Sequence, residues 1–356
     1  MKNIVKIGYD PGASAGKIAR VLNGEMLKYL MPSSVGFSRG KKDGLTLAGV
    51  VRPQRAVRRP FHVVFEGMEY LVGPNVAKFT KPIDRLDFER FTDSPELRAT
   101  LYAALYQIVN GGPKTVALAI ALPVEIVQDK KEAVRVERAM KEWIMGEHVF
   151  SVDGVESVIE IVNVRCKIPQ PVATWFDWGM DNSGQWVKGK EAQRAPTLVI
   201  DQGFHTLDVL VVEGGQISQR MSGGDTLGMS RAADYLIEAI KNEYDGLTLE
   251  LYEANELVKA VVNGKKAQMY VNGRLTDITN KAKQALSSLE TDVDQFLQRS
   301  IGKKGGMYNV LLTGGGALAM SGVLSRRFPG ATVMYEPVMA NARGLAKLAA
   351  RPGFLD

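Results

Sequence analysis

The chain has 356 residues, 45% of them apolar, and a formal charge of +6. That length exceeds one typical core and predicts two domains, while its longest apolar runs, such as 116–124, fall short of the roughly 18 residues of a membrane-spanning helix. The positive charge favours anionic partners without specifying nucleic acid.

Met1-Lys2-Asn3 leads straight into a strand, so no signal segment is expected and the cytoplasm is the expected compartment. Strands are expected at 4–9, 17–22 and 25–29, with Asn23-Gly24 as a two-residue hairpin turn. Residues 36–95 are rich in Gly, Pro, Arg and Lys, with short strand signals at 61–65 and 68–72, and read as a subdomain inserted into the first lobe. Within it Lys41, Lys42, Arg52, Arg55, Arg58 and Arg59 form a basic segment; Lys303-Lys304 form a smaller one. Such runs are either solvated loops or surfaces for an acidic face of a neighbouring subunit. A helix follows from Pro95-Glu96 to 108, stopped by Gly111-Gly112-Pro113, then a buried strand at 116–122 and a helix at 129–145. Strands at 148–152 and 155–164 flank Asp153-Gly154. The only cysteine, Cys166, excludes an internal disulfide or a cysteine-built metal site and reads as a buried strand thiol. Pro171 suits the first turn of the next helix.

The second lobe starts near Pro196 with strand, turn and strand, then a strand at 216–222, a glycine turn at Gly223-Gly224-Asp225 and an amphipathic helix to 244. Residues 245–303 read as a second insertion: a helix, a hairpin around Asn272-Gly273, and a long helix at 279–301. A strand at 308–313, Gly314-Gly315-Gly316, a helix to 328, a strand at 332–335 and a terminal helix at 339–350 complete the chain. Alternating strands and helices predict an α/β protein.

Two stretches 191 residues apart share one pattern. In each, an apolar run ends in Asp-x-Gly (Asp10-Pro11-Gly12 and Asp201-Gln202-Gly203), and a charged residue, Lys17 or Asp208, stands seven places after the Asp. The next turn keeps the register, as Asn23-Gly24 or Gly214-Gly215. Each Asp-x-Gly taken singly is an ordinary hairpin turn; the matched pair points to two related lobes. Glycine-bearing turns let backbone N–H groups approach a phosphate closely, so Gly12, Ala13, Ser14, Ala15 and Gly16 form one candidate cradle and Gly203, Phe204 and His205 the other. Lys17 adds a point charge. Asp10 and Asp201 are candidates to hold the waters of a Mg²⁺, which keeps its hydration and takes few direct carboxylates. Gly314, Gly315 and Gly316, between a buried strand and a helix, permit a flat ring to lie against backbone.

With these elements in order, the chain resembles the actin, heat-shock chaperone and sugar-kinase superfamily, and within it the ParM-related bacterial and archaeal actin-like proteins that segregate plasmids. Ala121-Leu122-Pro123-Val124-Glu125, Asp84-Arg85-Leu86-Asp87-Phe88, Pro169-Gln170-Pro171-Val172-Ala173 and Ala340-Asn341-Ala342-Arg343-Gly344-Leu345 carry that likeness. It implies two duplicated ribonuclease H-like lobes with a nucleotide in the cleft between them: 1–180 plus 338–356, with an insertion at about 36–95, and 181–337, with an insertion at about 245–303. It further implies ATP or GTP with Mg²⁺ organised through water by Asp10 and Asp201, and phosphate contact by Lys17. Gln170 is expected to orient the attacking water, Gly224 and Asp225 to lie near the ribose, and Asn341 to join the nucleotide-binding set. Pro11, Ser14, Phe204 and His205 depart from the usual turn residues. The implied activity is slow, assembly-stimulated nucleotide hydrolysis by a head-to-tail filament, tied to plasmid DNA by a DNA-binding adaptor, with no direct nucleic-acid or membrane contact. The alternatives are a small-molecule kinase of the same ancestry and a non-dynamic scaffold of the same fold.

Overall fold

Strand and helix alternate along the chain, and the computed structural model describes residues 4–38, 58–83, 85–110 and 114–356. Lys41, Lys42, Arg52 and Arg55 of the basic segment, Asp84, and the Gly111-Gly112-Pro113 stop lie outside the described residues. Contacts divide the chain into two units: Met1–Leu122, Ile126–Gly189 and Met339–Asp356 in one, Pro123–Glu125 and Lys190–Val338 in the other.

The first part of the chain forms β1 (Ile4–Pro11), β2 (Ala15–Leu22), β3 (Glu25–Pro32), β4 (Val35–Phe37), β5 (Phe61–Phe65), β6 (Met68–Val72), α1 (Pro95–Val109), β7 (Lys114–Leu122), the short α2 (Val124–Gln128), α3 (Lys130–Ile144), β8 (Gly146–Val152), β9 (Val155–Pro169) and α4 (Gln170–Gly179). Local chemistry sets the boundaries. Ser94 caps α1, its Oγ accepting from Leu97 N at 3.0 Å, with Pro95 in the first turn. Asp129 caps α3 by accepting from the N–H groups of Lys131 and Glu132. Asn23-Gly24 and Asp153-Gly154 both take positive φ, as two-residue hairpin turns require.

Among the described residues, the strands of this unit lie in the order β3-β2-β1-β7-β9-β8-β5-β6-β4. β7 is buried on both faces: Val116, Leu118, Ile120 and Leu122 enter the larger core, while Ala117, Ala119 and Ala121 enter a second one with Leu345, Leu348 and Ala173. Each fully buried branched side chain contributes about 1.5–3 kcal/mol over its exposed state. The alanine face has a separate task, since small residues let helices lie close to the sheet. Gly8 of β1 belongs to the same device: a Cβ there would overlap Ala346 N and Leu345 Cβ. Cys166 is fully buried, and burial raises its thiol to a pKa of about 12.

The second unit holds α5 (Gly189–Arg194) from Lys190 onward, β10 (Thr197–Gln202), β11 (Leu207–Glu213), β12 (Gln216–Ile217), β13 (Gly223–Asp225), α6 (Ser230–Glu243), α7 (Leu251–Val262), β14 (Gln268–Val271), β15 (Arg274–Asp277), α8 (Thr279–Ser300), β16 (Asn309–Thr313), α9 (Ala317–Arg327) and β17 (Thr332–Val333). Its main sheet runs β12-β11-β10-β16-β17, and β13 also pairs with β11. The strand expected at 216–222 is therefore only two residues long, and Gly223-Gly224-Asp225 is a strand rather than a turn. Ser222 explains the break: its Oγ accepts from Val211 N at 3.0 Å and donates to Ser218 O at 2.8 Å, replacing ladder bonds while the chain leaves the sheet edge.

The chain then returns to the first unit as α10 (Ala340–Ala350). There α10 crosses α4 at Gly344, where a Cβ would overlap the Ala173 carbonyl. Arg343 and Lys347 bind the buried Asp177 of α4, at 2.5 Å from Nη2 and 2.8 Å from Nζ. Among the described residues, no helix is long and apolar enough to cross a membrane.

Candidate functional site

The shared sequence pattern becomes a shared register. In the first unit Asp10 pairs with Lys17 across the antiparallel β1–β2 ladder, and β1 is flanked by the parallel β7. In the second, Asp201 pairs with Asp208 across β10–β11, and β10 is flanked by the parallel β16. Directly paired residues share a sheet face, so one unit juxtaposes opposite charges and the other like charges.

In the first unit the structure brings together Asp10, Gly12, Ala13, Ser14, Ala15, Lys17 and Gln170. Asp10 is 1% exposed, and its carboxylate accepts from Lys17 Nζ at 3.1 Å and from Gln170 Nε2 at 2.7 Å. Gln170 opens α4 and uses its amide N–H on Asp10, which leaves its carbonyl oxygen as the end to which a water can donate. The turn's carbonyls are drawn inward. Arg90 Nη2 donates to Pro11 O at 2.7 Å, Ser33 Oγ to Gly12 O at 2.8 Å, and Ser33 N to Ser14 O at 2.9 Å. Among the described residues the backbone N–H groups of Ala13 and Ser14 stay uncommitted, the condition for an anion cradle. Gly16 is required sterically, because a Cβ there would stand 2.9 Å from Tyr9 Oη.

The second unit repeats the arrangement by other means. The carbonyls of Gly203, Phe204 and His205 accept from Met229, Ser230 and Gly228 at the start of α6, at 3.1, 2.7 and 3.1 Å. Asp201 is 5% exposed and lies against Gly314: a Cβ on that glycine would overlap Asp201 Oδ1 and Gln202 O. Gly314 has φ +88°, donates to Pro337 O at 3.1 Å, and is followed by Gly316, whose N–H bonds Gln202 O at 2.8 Å. Gly315 is exposed. The glycine triplet thus folds onto the end of β10. Gly224 lies beside Asp208, with its ideal Cβ 2.8 Å from Oδ1, and Asp225 pairs with Leu207. Asn341 stands elsewhere, on α10 of the first unit, buried and accepting from Thr174 Oγ1 of α4 at 2.7 Å.

Asp208 and Arg90 had no site role from sequence. Asp208 is 1% exposed, accepting from Thr206 Oγ1 at 2.7 Å and from Val124 N at 2.9 Å. Burial, followed by the charge of Asp201, pushes its pKa up to about 7. The shared seven-residue spacing was the available signal for Asp208; for Arg90, 79 residues from its partner, there was none.

Among the described residues no cluster of three or more His, Cys, Asp or Glu could hold a metal. Asp10 at the end of β1, and Asp201 beside Asp208 on β10 and β11, are too few carboxylates for an all-protein cage and suit a hydrated Mg²⁺ that keeps its waters and takes phosphate oxygens as further ligands.

Residues 8–172 match the family model described as the N-terminal domain of actin-like proteins, and residues 199–326 match the C-terminal model of archaeal MreB-like actin homologues. The fold is therefore that of the actin-like class. The chain belongs to the actin-like protein family. Three solved structures share the fold across nearly the whole chain. A 15-stranded ParM filament from Clostridium botulinum is 19% identical with TM-score 0.75, covering 98% of this chain and 99% of its own. An archaeal actin homologue in complex with ADP is 16% identical with TM-score 0.70, covering 97% and 99%. ParM from Bacillus thuringiensis with AMPPNP is 14% identical with TM-score 0.63, covering 97% and 98%. A search of curated proteins finds no match.

Proposed function

We propose that this chain is a nucleotide-dependent, filament-forming ATPase (or GTPase) of the actin-like family that binds a Mg²⁺–nucleoside triphosphate. The observation that carries this reading is the repeated register of a buried Asp, a glycine turn with inward-drawn carbonyls, and a charged partner seven residues on. The filament and the ADP and AMPPNP complexes among the similar structures support it. Gly12 to Ala15 and Lys17, with Gly203 to His205, are the phosphate-binding residues; Gly224, Asp225, Gly314 to Gly316 and Asn341 are assigned to the nucleoside. Asp10 and Asp201 orient the waters of Mg²⁺, which when bound neutralises developing charge on the phosphates. Gln170 orients the attacking water through its carbonyl oxygen without deprotonating it, so turnover is slow until assembly completes the geometry. Head-to-tail contacts that do not close yield an open filament. Its proposed cargo is plasmid DNA, held through a DNA-binding adaptor.

Sedimentation tests the reading. With ATP or GTP and Mg²⁺ the protein pellets, and Asp201→Ala removes the nucleotide-dependent part. A wild-type chain that stays in the supernatant at high concentration with every nucleotide overturns it.

A further inference from the structure

Beneath the first glycine turn lies a cation supplied from far along the chain. Arg90 sits in the short 3₁₀ helix Phe88–Phe91 and is 9% exposed. Its guanidinium packs over the Phe91 ring at 4.5 Å from the centroid and donates from Nη2 to Pro11 O at 2.7 Å. Among the described residues it forms no ion pair, and its Nε has no hydrogen-bond partner. A buried, unpaired charge is costly. Burial depresses the Arg90 pKa, while the neighbouring Tyr9, Asp10, Glu96 and Asp87 hold it up. The short helix is itself fixed from α3: Arg135 grips Glu89 with both terminal nitrogens, at 2.6 and 3.1 Å, and Trp143 Nε1 donates to Phe91 O at 3.3 Å. These contacts deliver the guanidinium to one place, the carbonyl of a proline that has no N–H of its own to anchor the turn.

We propose that Arg90 is a positioning residue of the first glycine turn: by holding the Pro11 carbonyl it aims the following N–H groups at an anion, and it places a buried positive charge beneath that anion. This rests on the nucleotide reading above and adds a residue to it. Because the charge acts only on a bound anion, a triphosphate feels it and a nucleoside does not. A hydrogen bond to a charged group is worth enough to change affinity about ten- to hundredfold.

The test uses the full chain, with Mg²⁺–ATP, Mg²⁺–GTP and the uncharged nucleosides as probes in calorimetry, and melting curves as the control for folding. Arg90→Met is expected to bind the preferred triphosphate about ten- to hundredfold more weakly while nucleoside affinity is unchanged. Arg90→Lys is intermediate, and methylguanidinium restores part of the affinity of Arg90→Ala. Should these variants fail to fold, the wild-type Arg90 guanidinium ¹⁵N resonance provides the same reading: it shifts with the triphosphate and not with the nucleoside. Folded variants that bind triphosphate like the wild type, or a resonance that is unmoved, overturn the role of Arg90 alone. A wild-type chain that binds no triphosphate removes the nucleotide reading and this inference with it.

Discussion

Asp10 and Asp201 occupy equivalent strand positions yet face different partners, Lys17 in one unit and Asp208 in the other. In a dry setting a like-charged neighbour raises the pKa of a carboxyl. Asp208 holds its proton to about pH 7 because it is buried and beside Asp201, and the bonds from Thr206 and Val124 only partly offset this. The folded carboxyl therefore releases its proton at higher pH than the unfolded one, whose pKa is about 3.9. Its contribution to stability is complete below that lower value, falls as pH rises, and is gone above about 7. Asp208→Asn keeps an oxygen for Val124 N and removes the titration. Thermal melts of both proteins from pH 5 to 8 should diverge, with the variant gaining relative to the wild type as pH rises; parallel curves would show an ordinary carboxylate at 208. The seven-residue spacing made both partners visible in the sequence, but the protonation of Asp208 depends on neighbours such as Val124, 84 residues away.

Among the elements, the crossing of α4 and α10 depends most on a single atom. At Gly344 a Cβ would overlap the Ala173 carbonyl and stand 3.0 Å from Asp177 N, and both are backbone groups that cannot rotate away. Gly344→Ala should destabilise by about 1–3 kcal/mol, because overpacking outweighs the gain in helix propensity. Gly322 in α9 offers the contrast, with Arg326 Nη1 as the nearest atom at 3.9 Å. There the propensity gain stands alone, and Gly322→Ala should stabilise by about 0.5–1 kcal/mol. Urea unfolding of the two variants checks the opposite signs. Both glycines lie in helical patterns, so nothing local separates them. Secondary structure was legible where period and turn chemistry agreed, as at 61–65, 68–72 and Asn272-Gly273. It failed at 216–222, where a serine side chain took over the ladder.

For the whole molecule, the family and fold are those of actin-like proteins, and the proposed assembly would be a property of many copies rather than of one chain. If turnover waits on assembly, phosphate release per molecule should climb with protein concentration and level off once most of the chain is polymerised. A phosphate assay over a concentration series checks this, and a rate per molecule that stays flat from dilute to concentrated protein would separate hydrolysis from assembly. The cross-strand pairs Asp10–Lys17 and Asp201–Asp208 stand at equivalent places in the two units, and the nucleotide reading draws on that equivalence.

By itself the sequence determined the class of fold, because strand period, glycine turns and the repeated Asp-x-Gly spacing are local and survive without knowledge of neighbours. Only the tertiary structure decided which groups set the state of the site: Arg90 under the first turn, Ser33 on its carbonyls, and Asp208 beside Asp201. Those choices rest on burial and on contacts between distant segments, and the energies of charge and hydrogen bonding depend on surroundings that exist only once the chain has folded.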